Sequence, residues 1–239
     1  MNKKHKQPSA CFDPDQWAGR RKSISRSLLK WYHSTARDLP WRRSPDPYRV
    51  WVSEIMLQQT QVERVKDYFH RFVTKFPSVF DLAEADEAVV LKYWEGLGYY
   101  RRARQLHAAA KLIVSDHEGI FPHDACALRQ LPGVGRYTAG AIASISFDLP
   151  EPILEANSRR VLARLTHYGR PLSGNKDDQP LWDIAAAIVP RDGGAGAFNQ
   201  ALMDLGSIVC TPVSPCCETC PLAEHCEAYQ RGSVDQIPN

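Results

Sequence analysis

The sequence predicts an all-α fold. Apolar residues recur at helical spacing, and in residues 17–35 one helix face would carry Ile24, Leu28, Leu29 and Tyr32. No stretch alternates apolar and polar residues for long enough to require a strand. The chain has 239 residues, 44% of them hydrophobic, which is enough to bury a core in one large domain or two small ones.

The helices can be placed in chain order. Residues 1–16 are basic and polar and are expected to form a disordered arm. A rigid connector rich in proline, residues 39–47, separates the first helix from the rest. Apolar spacing and glycine or proline breaks then predict helices at residues 48–59, 61–76, 81–95, 99–117, 124–130, 137–143, 156–167, 181–189 and 196–208.

A tight turn is predicted at residues 131–136, which read LPGVGR. Pro132 disfavours helix at the preceding residue, and Gly133 and Gly135, on either side of Val134, are expected to take positive φ. The first amides of the next helix would then face outward, where they suit a phosphate oxygen. This pattern is typical of a helix-hairpin-helix that grips DNA backbone, although an ordinary helix junction explains the same residues.

Charge and cysteine usage limit the classes of protein to which this chain can belong. A net charge of +3 identifies no partner, but the N-terminal 30 residues are basic and residues 171–239 are acidic, which suits a polyanion or a merely solvated surface. No apolar run reaches about 18 residues, so no membrane span is expected, and the N-terminus lacks the apolar stretch of a secretory signal. Five of the seven cysteines crowd into residues 210–226. That crowding disfavours a secreted disulfide framework, so we expect an intracellular protein.

The most specific motif is formed by Cys210, Cys217, Cys220 and Cys226, which are separated by six, two and five residues. Four thiolates on so short a loop can surround one soft metal centre. An iron–sulfur cluster and tetrahedral zinc both fit, and disulfides are a third possibility. Cys216 is adjacent to Cys217 and can replace it in principle.

Together these motifs resemble the endonuclease III superfamily of DNA base-excision glycosylases, and within it the A/G-specific adenine glycosylase (MutY) family. The resemblance covers about residues 25–226 and is carried by residues 53–62 (SEIMLQQTQV), 96–104 (GLGYYRRAR) and 198–206 (FNQALMDLG). It implies a [4Fe–4S] cluster in a structural role, held by the four cysteines. It also implies a six-helix module at residues 47–150, a second lobe from residues 17–46 and 151–239, and a DNA-binding cleft between them. Since the chain ends soon after the cysteines, we do not expect the Nudix-like C-terminal domain that family members usually carry.

Glycosidic hydrolysis needs a proton donor for the departing base and a carboxylate beside the cationic sugar. Glu54 lies among apolar residues, which should raise its pKa, and it matches the family's general acid, although alone it also fits a solvated helix face. Glu155 begins a predicted helix, where an anion is favoured. It stands with Ala156 where the family has Asp-Gly, and we expect the longer carboxylate to retain activity.

Tyr137 follows the hairpin at the position where bifunctional relatives carry a nucleophilic lysine, so a monofunctional hydrolase that leaves an abasic site is expected. By resemblance, Tyr137 and Asn157 order the water and the carboxylates, and Gln59 and Tyr99 enter the base stack. Three further matched positions line the adenine pocket, namely Arg42, Leu57 and Gln200. Hairpin backbone is supplied by Gly133, Val134 and Gly135. Arg159, Arg160 and Arg164 form a basic stripe that contacts phosphate or is simply solvated.

The expected function is therefore the release of adenine mispaired with 8-oxoguanine or guanine, during base excision repair of double-stranded DNA. We expect a monomer with DNA inside the cell, in the nucleoid-associated cytoplasm if the source is bacterial. One alternative is a thymine or uracil mismatch glycosylase of the same superfamily, against which residues 57–62 argue. The other is a lesion-binding protein in which the change at Glu155 has impaired catalysis.

Overall fold

The structure is a computed structural model and describes residues 13–170 and 178–238. These residues form helices and turns without a β-strand, so the all-α prediction is confirmed. Within the same ranges, no helix has the length and apolar character needed to cross a membrane. Most of the predicted basic arm lies outside the described residues, and its last residues already belong to the first helix, which begins at Pro14.

The chain forms twelve α-helices in its described parts. The first six are α1 (Pro14–Thr35), α2 (Pro47–Leu57), α3 (Val62–Lys75), α4 (Val79–Glu84), α5 (Glu87–Trp94) and α6 (Arg101–His117). The second six are α7 (Ala125–Leu128), α8 (Arg136–Phe147), α9 (Ala156–Leu165), α10 (Gln179–Ile188), α11 (Ala195–Ile208) and α12 (Glu227–Gln230). Side-chain caps fix several starts, because Asp13, Asp46 and Asp124 each accept a backbone N–H of the first turn.

Two hydrophobic cores organise these helices. The first is built around the aromatic side chains of Trp51, Phe72 and Trp94, and it contains residues from each of the seven helices α2 through α8. The resemblance implies six helices in this range, whereas the structure has seven when the short helices are counted separately: α4 and α5 lie in the segment predicted at residues 81–95, and α7 lies in the segment predicted at residues 124–130. Trp41, which the sequence groups with the other lobe, packs into this core edge-on to Phe69 at 5.5 Å.

The second core joins α1 to α9, α10, α11 and α12 around Ile24, Leu28 and Phe198. Contacts between α8 and α11 connect it to the first core. Asp148, just after α8, accepts the N–H groups of Gly194 and Gly196 at 2.8 and 3.1 Å and so caps the start of α11. The two groups of helices are thereby fixed against each other, with a cleft between them.

Candidate active site

A cleft of about 1030 Å³ lies between the two cores. Its walls come from the connector before α2, from α2 and the loop after it, from the loop before α6, and from α8, α9 and α11. Nine of the predicted site residues line it, namely Arg42, Glu54, Leu57, Gln59, Tyr99, Tyr137, Glu155, Asn157 and Gln200. The hairpin glycines and the cysteine cluster lie outside this cleft.

Glu54 projects from α2 into the cleft and is only 4% exposed. Burial raises the pKa of Glu54 to about 7, and the nearby Glu155 charge adds to the rise, while the Tyr137 hydroxyl and Arg42 act in the opposite direction. The Tyr137 hydroxyl donates a hydrogen bond of 2.6 Å to Glu54 Oε2. A carboxyl group in this setting holds its proton near neutral pH.

Tyr137 belongs to the first turn of α8, directly after the hairpin. Burial raises the pKa of Tyr137 well above its usual value, and the charge of Glu54 raises it further. The phenol therefore stays protonated and acts as a hydrogen-bond donor towards Glu54.

Glu155 is the N-cap residue of α9, which begins at Ala156 as the sequence predicts. Its two carboxylate oxygens accept the N–H groups of Asn157 and Ser158 at 2.8 and 2.7 Å, and Ser158 Oγ accepts the Glu155 N–H in return. This reciprocal capping box keeps the carboxylate at the positive end of the helix dipole. The longer side chain is accommodated by folding back onto its own helix.

Asn157 is held beside α11 by a close helix contact. A Cβ atom at Gly206 would lie 2.6 Å from Asn157 Cβ, so only glycine allows α11 to approach the first turn of α9 this closely. The Asn157 Oδ1 accepts a hydrogen bond of 2.9 Å from Arg160.

A buried ion pair positions the predicted adenine-pocket residue Arg42. Both Nη atoms of Arg42 donate to the carboxylate of Asp204, at 2.7 and 2.9 Å, and Arg37 Nε donates to the same group at 2.6 Å. Burial alone would raise the pKa of Asp204, but the hydrogen bonds and charges of Arg42 and Arg37 outweigh it and hold the pKa below its usual value.

Sequence reasoning missed Asp204, although it lies within the matched motif at residues 198–206. Arg42 and Asp204 are 162 positions apart, so no spacing could connect them. A second fixed contact lies beside this pair, because the Tyr32 hydroxyl donates to Gln200 Oε1 at 2.5 Å. That bond uses the side-chain oxygen of Gln200 and leaves its side-chain NH2 group available as a donor.

Gln59 and Tyr99 lie on two neighbouring loops at the cleft. Both take left-handed backbone conformations, with φ of 55° and 49°, which residues with a side chain rarely adopt. Tyr99 is 63% exposed, which is unusual for a large aromatic side chain.

The hairpin differs from the prediction at one glycine. Gly133 has a φ of 77°, as expected, and a Cβ there would lie 2.9 Å from Gln105 Cβ. Gly135 instead has a φ of −86° with extended ψ, so the expectation of positive φ is wrong at this position. The turn from Leu131 needs one left-handed residue, and Gly135 serves as the N-cap of α8 without a side-chain cap.

The four predicted ligand cysteines line one small pocket next to α9. The cysteines of the described residues are free thiols. Burial raises the pKa of Cys220 to about 12, so an ionised thiolate there needs a cationic partner such as a metal. Cys216, the alternative to Cys217, also lines the pocket but is exposed.

The arrangement of these thiols bears on which centre they suit. Within residues 13–170 and 178–238, no three His, Cys, Asp or Glu side chains are placed to hold a single metal ion. Tetrahedral zinc requires all four sulfur atoms about 2.3 Å from one point. An iron–sulfur cluster takes each thiolate on a different iron, and a donor set of four thiols suits either centre.

Two of the three arginines in the predicted stripe hold the cysteine loop, whereas Arg159 pairs with Asp178 at 2.8 Å. Arg160 Nε donates to Cys210 O at 2.7 Å. Arg164 is buried and donates to Cys210 Sγ at 3.4 Å and to Thr211 O at 2.7 Å. The expectation of a solvated face is therefore wrong for Arg164, which is buried against the cysteine loop, and a phosphate contact by Arg159 or Arg160 stays a prediction.

Comparison with known proteins gives consistent results. Residues 52–178 match the family described as HhH-GPD superfamily base excision DNA repair protein. A protein of Rattus norvegicus named adenine DNA glycosylase is 46% identical over 228 residues, which cover 90% of this chain and 44% of the relative. One of Mycolicibacterium smegmatis with the same name is 42% identical over 86% of this chain and 69% of its own length. A solved thermostable thymine-DNA glycosylase superposes with a TM-score of 0.78 at 30% identity, covering 92% of this chain and all of that one. The chain thus spans less than half the length of the rat relative.

Proposed function

The chain belongs to the HhH-GPD superfamily of base excision DNA repair proteins and, within it, to the adenine DNA glycosylase family, and from this membership we propose that it is a monofunctional DNA glycosylase. Its substrate is double-stranded DNA in which adenine is mispaired with 8-oxoguanine or guanine. The observation that carries the proposal is that Glu54 and Glu155 line one cleft of about 1030 Å³, which has room for an extruded nucleobase.

Glu54 is the proposed general acid. The glycosidic bond breaks more easily when the departing adenine carries an extra proton, because the neutral base is the better leaving group. A carboxyl group with a pKa raised to about 7 holds a proton at neutral pH and still releases it to a ring nitrogen. Tyr137 orients this group through its 2.6 Å hydrogen bond.

Glu155 is the proposed carboxylate beside the sugar. Loss of adenine leaves positive charge on the deoxyribose ring and its oxygen, and a fixed anion stabilises that charge. Hydrogen bonds from two backbone N–H groups hold the Glu155 carboxylate on the cleft side of α9. Asn157, the second residue of the same helix turn, lines the cleft beside it and is proposed to order the attacking water.

Tyr137 supports hydrolysis without strand cleavage. A phenol cannot form the imine by which a lysine at this position would attack the sugar. We therefore propose that water is the nucleophile and that the product is an abasic site. Borohydride trapping of an abundant covalent complex between protein and DNA would contradict this assignment.

Adenine recognition is assigned to Arg42, Leu57 and Gln200. The Arg42 guanidinium is fixed by Asp204, and the Gln200 amide is fixed by Tyr32, so the two polar groups are held in place before a base enters. Leu57, at the end of α2, supplies apolar surface for the face of the base. A pre-oriented donor set of this kind selects a purine edge at a low entropy cost.

Two further groups are assigned to the DNA duplex. The hairpin backbone at Gly133, Val134 and Gly135 offers the free amides of α8 to a phosphate, and no Cβ at Gly135 obstructs their approach. Gln59 and Tyr99 enter the base stack around the mispair. We propose that the two cores correspond to the two lobes of the glycosylase, with DNA bound in the cleft between them, and that the protein acts as a monomer on DNA inside the cell.

The cysteine loop is assigned a [4Fe–4S] cluster, held by Cys210, Cys217, Cys220 and Cys226. Such a cluster supplies four metal–thiolate bonds that fold an otherwise irregular loop. The chain's own contribution is the pair of arginines on α9, which bind the loop through Cys210. The cluster's role is therefore proposed to be structural.

The decisive experiment measures base release from four duplexes that contain A:8-oxoguanine, A:G, T:G or U:G pairs. Release of adenine from the first two alone supports the proposal, and the ratio of their rates measures the preference for 8-oxoguanine. The likeness to a thymine-DNA glycosylase makes T:G the main rival substrate. Release of thymine or uracil without adenine would refute the adenine assignment, and binding without any release would favour a lesion-binding protein.

A further inference from the structure

We propose that Arg102 is a positioning residue that holds Gln59 and Tyr99 in the conformations in which they enter the base stack. This inference rests on the proposed function, because the role of those two side chains is part of it. Arg102 borders the cleft but is only 9% exposed, and its hydrogen bonds go to the two loops, so the proposed role does not require contact with DNA. It therefore differs from the residues assigned to the pocket and the hairpin.

One guanidinium binds both loops at once. Arg102 Nη1 donates to the carbonyl oxygens of Ile55 at 2.8 Å and Met56 at 3.1 Å, and also to that of Gln58. Its Nη2 lies 3.4 Å from Thr60 Oγ1, on the loop that carries Gln59. It also lies 3.4 Å from Leu97 O and from Gly98 O, on the loop that carries Tyr99. These acceptors flank Gln59 and precede Tyr99 directly.

Arg102 is buried and has no acidic partner among the described residues, so the loop carbonyl groups are its main partners. The residue is 9% exposed, and the ion pairs of the described residues do not include it. Its guanidinium lies 5.5 Å from the Trp94 ring and 5.3 Å from the Tyr99 ring. The cation is thus compensated by the carbonyl end of α2 and by two aromatic faces.

The two loops need such a support because both carry an unfavourable backbone conformation. Gln59 and Tyr99 have φ values of 55° and 49°. Conformations of this kind persist only where the surroundings determine them more strongly than the local preference. The two Nη atoms of this planar group meet acceptors on both loops, although Nε has no hydrogen-bond partner among the described residues, whereas a single lysine ammonium cannot span both loops.

The test compares Arg102→Lys with Arg104→Lys in the full chain. Arg104 lies on the same helix, is exposed and pairs with Glu87, so it controls for loss of an arginine in α6. The main measurement is the fluorescence of 2-aminopurine placed as the target base opposite guanine, which reports extrusion without bond cleavage. We expect Arg102→Lys to weaken extrusion by about tenfold or more, as misplacement of aligned groups by an ångström does, and Arg104→Lys to have no effect.

A double-mutant cycle separates positioning from general stability. In a chain that already carries Gln59→Ala and Tyr99→Ala, Arg102→Lys should cause no further loss of extrusion. An undiminished loss in that background, or unchanged extrusion in the wild-type background, would overturn the proposal.

The test also covers a variant that does not fold and a wild-type chain that is not a glycosylase. Should Arg102→Lys fail to fold, Thr60→Val removes one of the six acceptors and should reduce extrusion in the same direction, and unchanged extrusion there would also overturn the inference. A wild-type chain that extrudes 2-aminopurine but releases no adenine would refute the glycosylase proposal while leaving the comparison at Arg102 interpretable.

Discussion

Replacing Glu54 with glutamine should stabilise the fold at alkaline pH while abolishing adenine release. The folded-state pKa of Glu54, about 7, lies above its ordinary value of 4.5. The folded chain therefore binds this proton more tightly than the unfolded chain. The associated stability is fully present below about pH 4.5, is lost as the pH rises to about 7, and stays lost above it.

The size of the effect follows from the same two values. A rise in pKa from 4.5 to about 7 corresponds to about 3 kcal/mol, since one pKa unit is worth about 1.4 kcal/mol. Glutamine has the same shape, remains neutral and can still accept the hydrogen bond from Tyr137. At pH 8 the variant should therefore be more stable than the wild type by up to about 3 kcal/mol, and the two should converge near pH 4.5.

The assay is urea unfolding of both chains between about pH 4.5 and pH 9, with single-turnover adenine release measured over the same range. Wild-type release should decline above about pH 7, where the acid loses its proton, and the variant should release no adenine at any pH. Glu84→Gln, which changes an exposed carboxyl at the end of α4, is the matched control and should alter neither measurement. Parallel stability curves for the wild type and Glu54→Gln would refute the buried-acid reasoning, and so would wild-type release that is flat up to pH 9.

Three further substitutions test the surroundings of the site. Tyr137→Phe removes the hydrogen bond that lowers the pKa of Glu54, so the alkaline decline in adenine release should move to higher pH, and an unchanged profile would contradict this. Asp204→Asn removes the charge that holds Arg42, and urea unfolding should show a loss of about 3 kcal/mol, as for other buried ion pairs that lose one partner. It should also raise the KM for adenine-containing duplex. Arg164→Lys removes most contacts between α9 and the cysteine loop, so the iron content per purified chain should fall, and full iron loading would refute this role.

Local features of the fold were predictable because each depends on residues within a few positions. The start of α9 at Ala156 follows from Glu155, and the hairpin turn follows from Pro132 and Gly133. The all-α class and the family membership were likewise accessible, since both follow from local periodicity and from short motifs. The assignment of roles to Glu54, Glu155 and the other matched residues stays a prediction, which the experiments above test.

Long-range contacts were not predictable. The two residues of the buried Arg42–Asp204 pair are 162 positions apart, and Arg102 reaches Ile55 across 47 positions. Arg164, in the arginine stripe after Glu155, was misjudged for the same reason, because it meets Cys210 from 46 positions away.

The amino-acid sequence by itself determined the helices, the hairpin, the cysteine spacing and the family, because helical periodicity, capping and turn chemistry act between near neighbours in the chain. Only the tertiary structure decided that Glu54 is buried beside Tyr137 and that Glu155 lines the same cleft. The physical reason is that burial and hydrogen bonding depend on which helices pack together. A carboxyl group on α2 acquires its raised pKa only when α8 covers it.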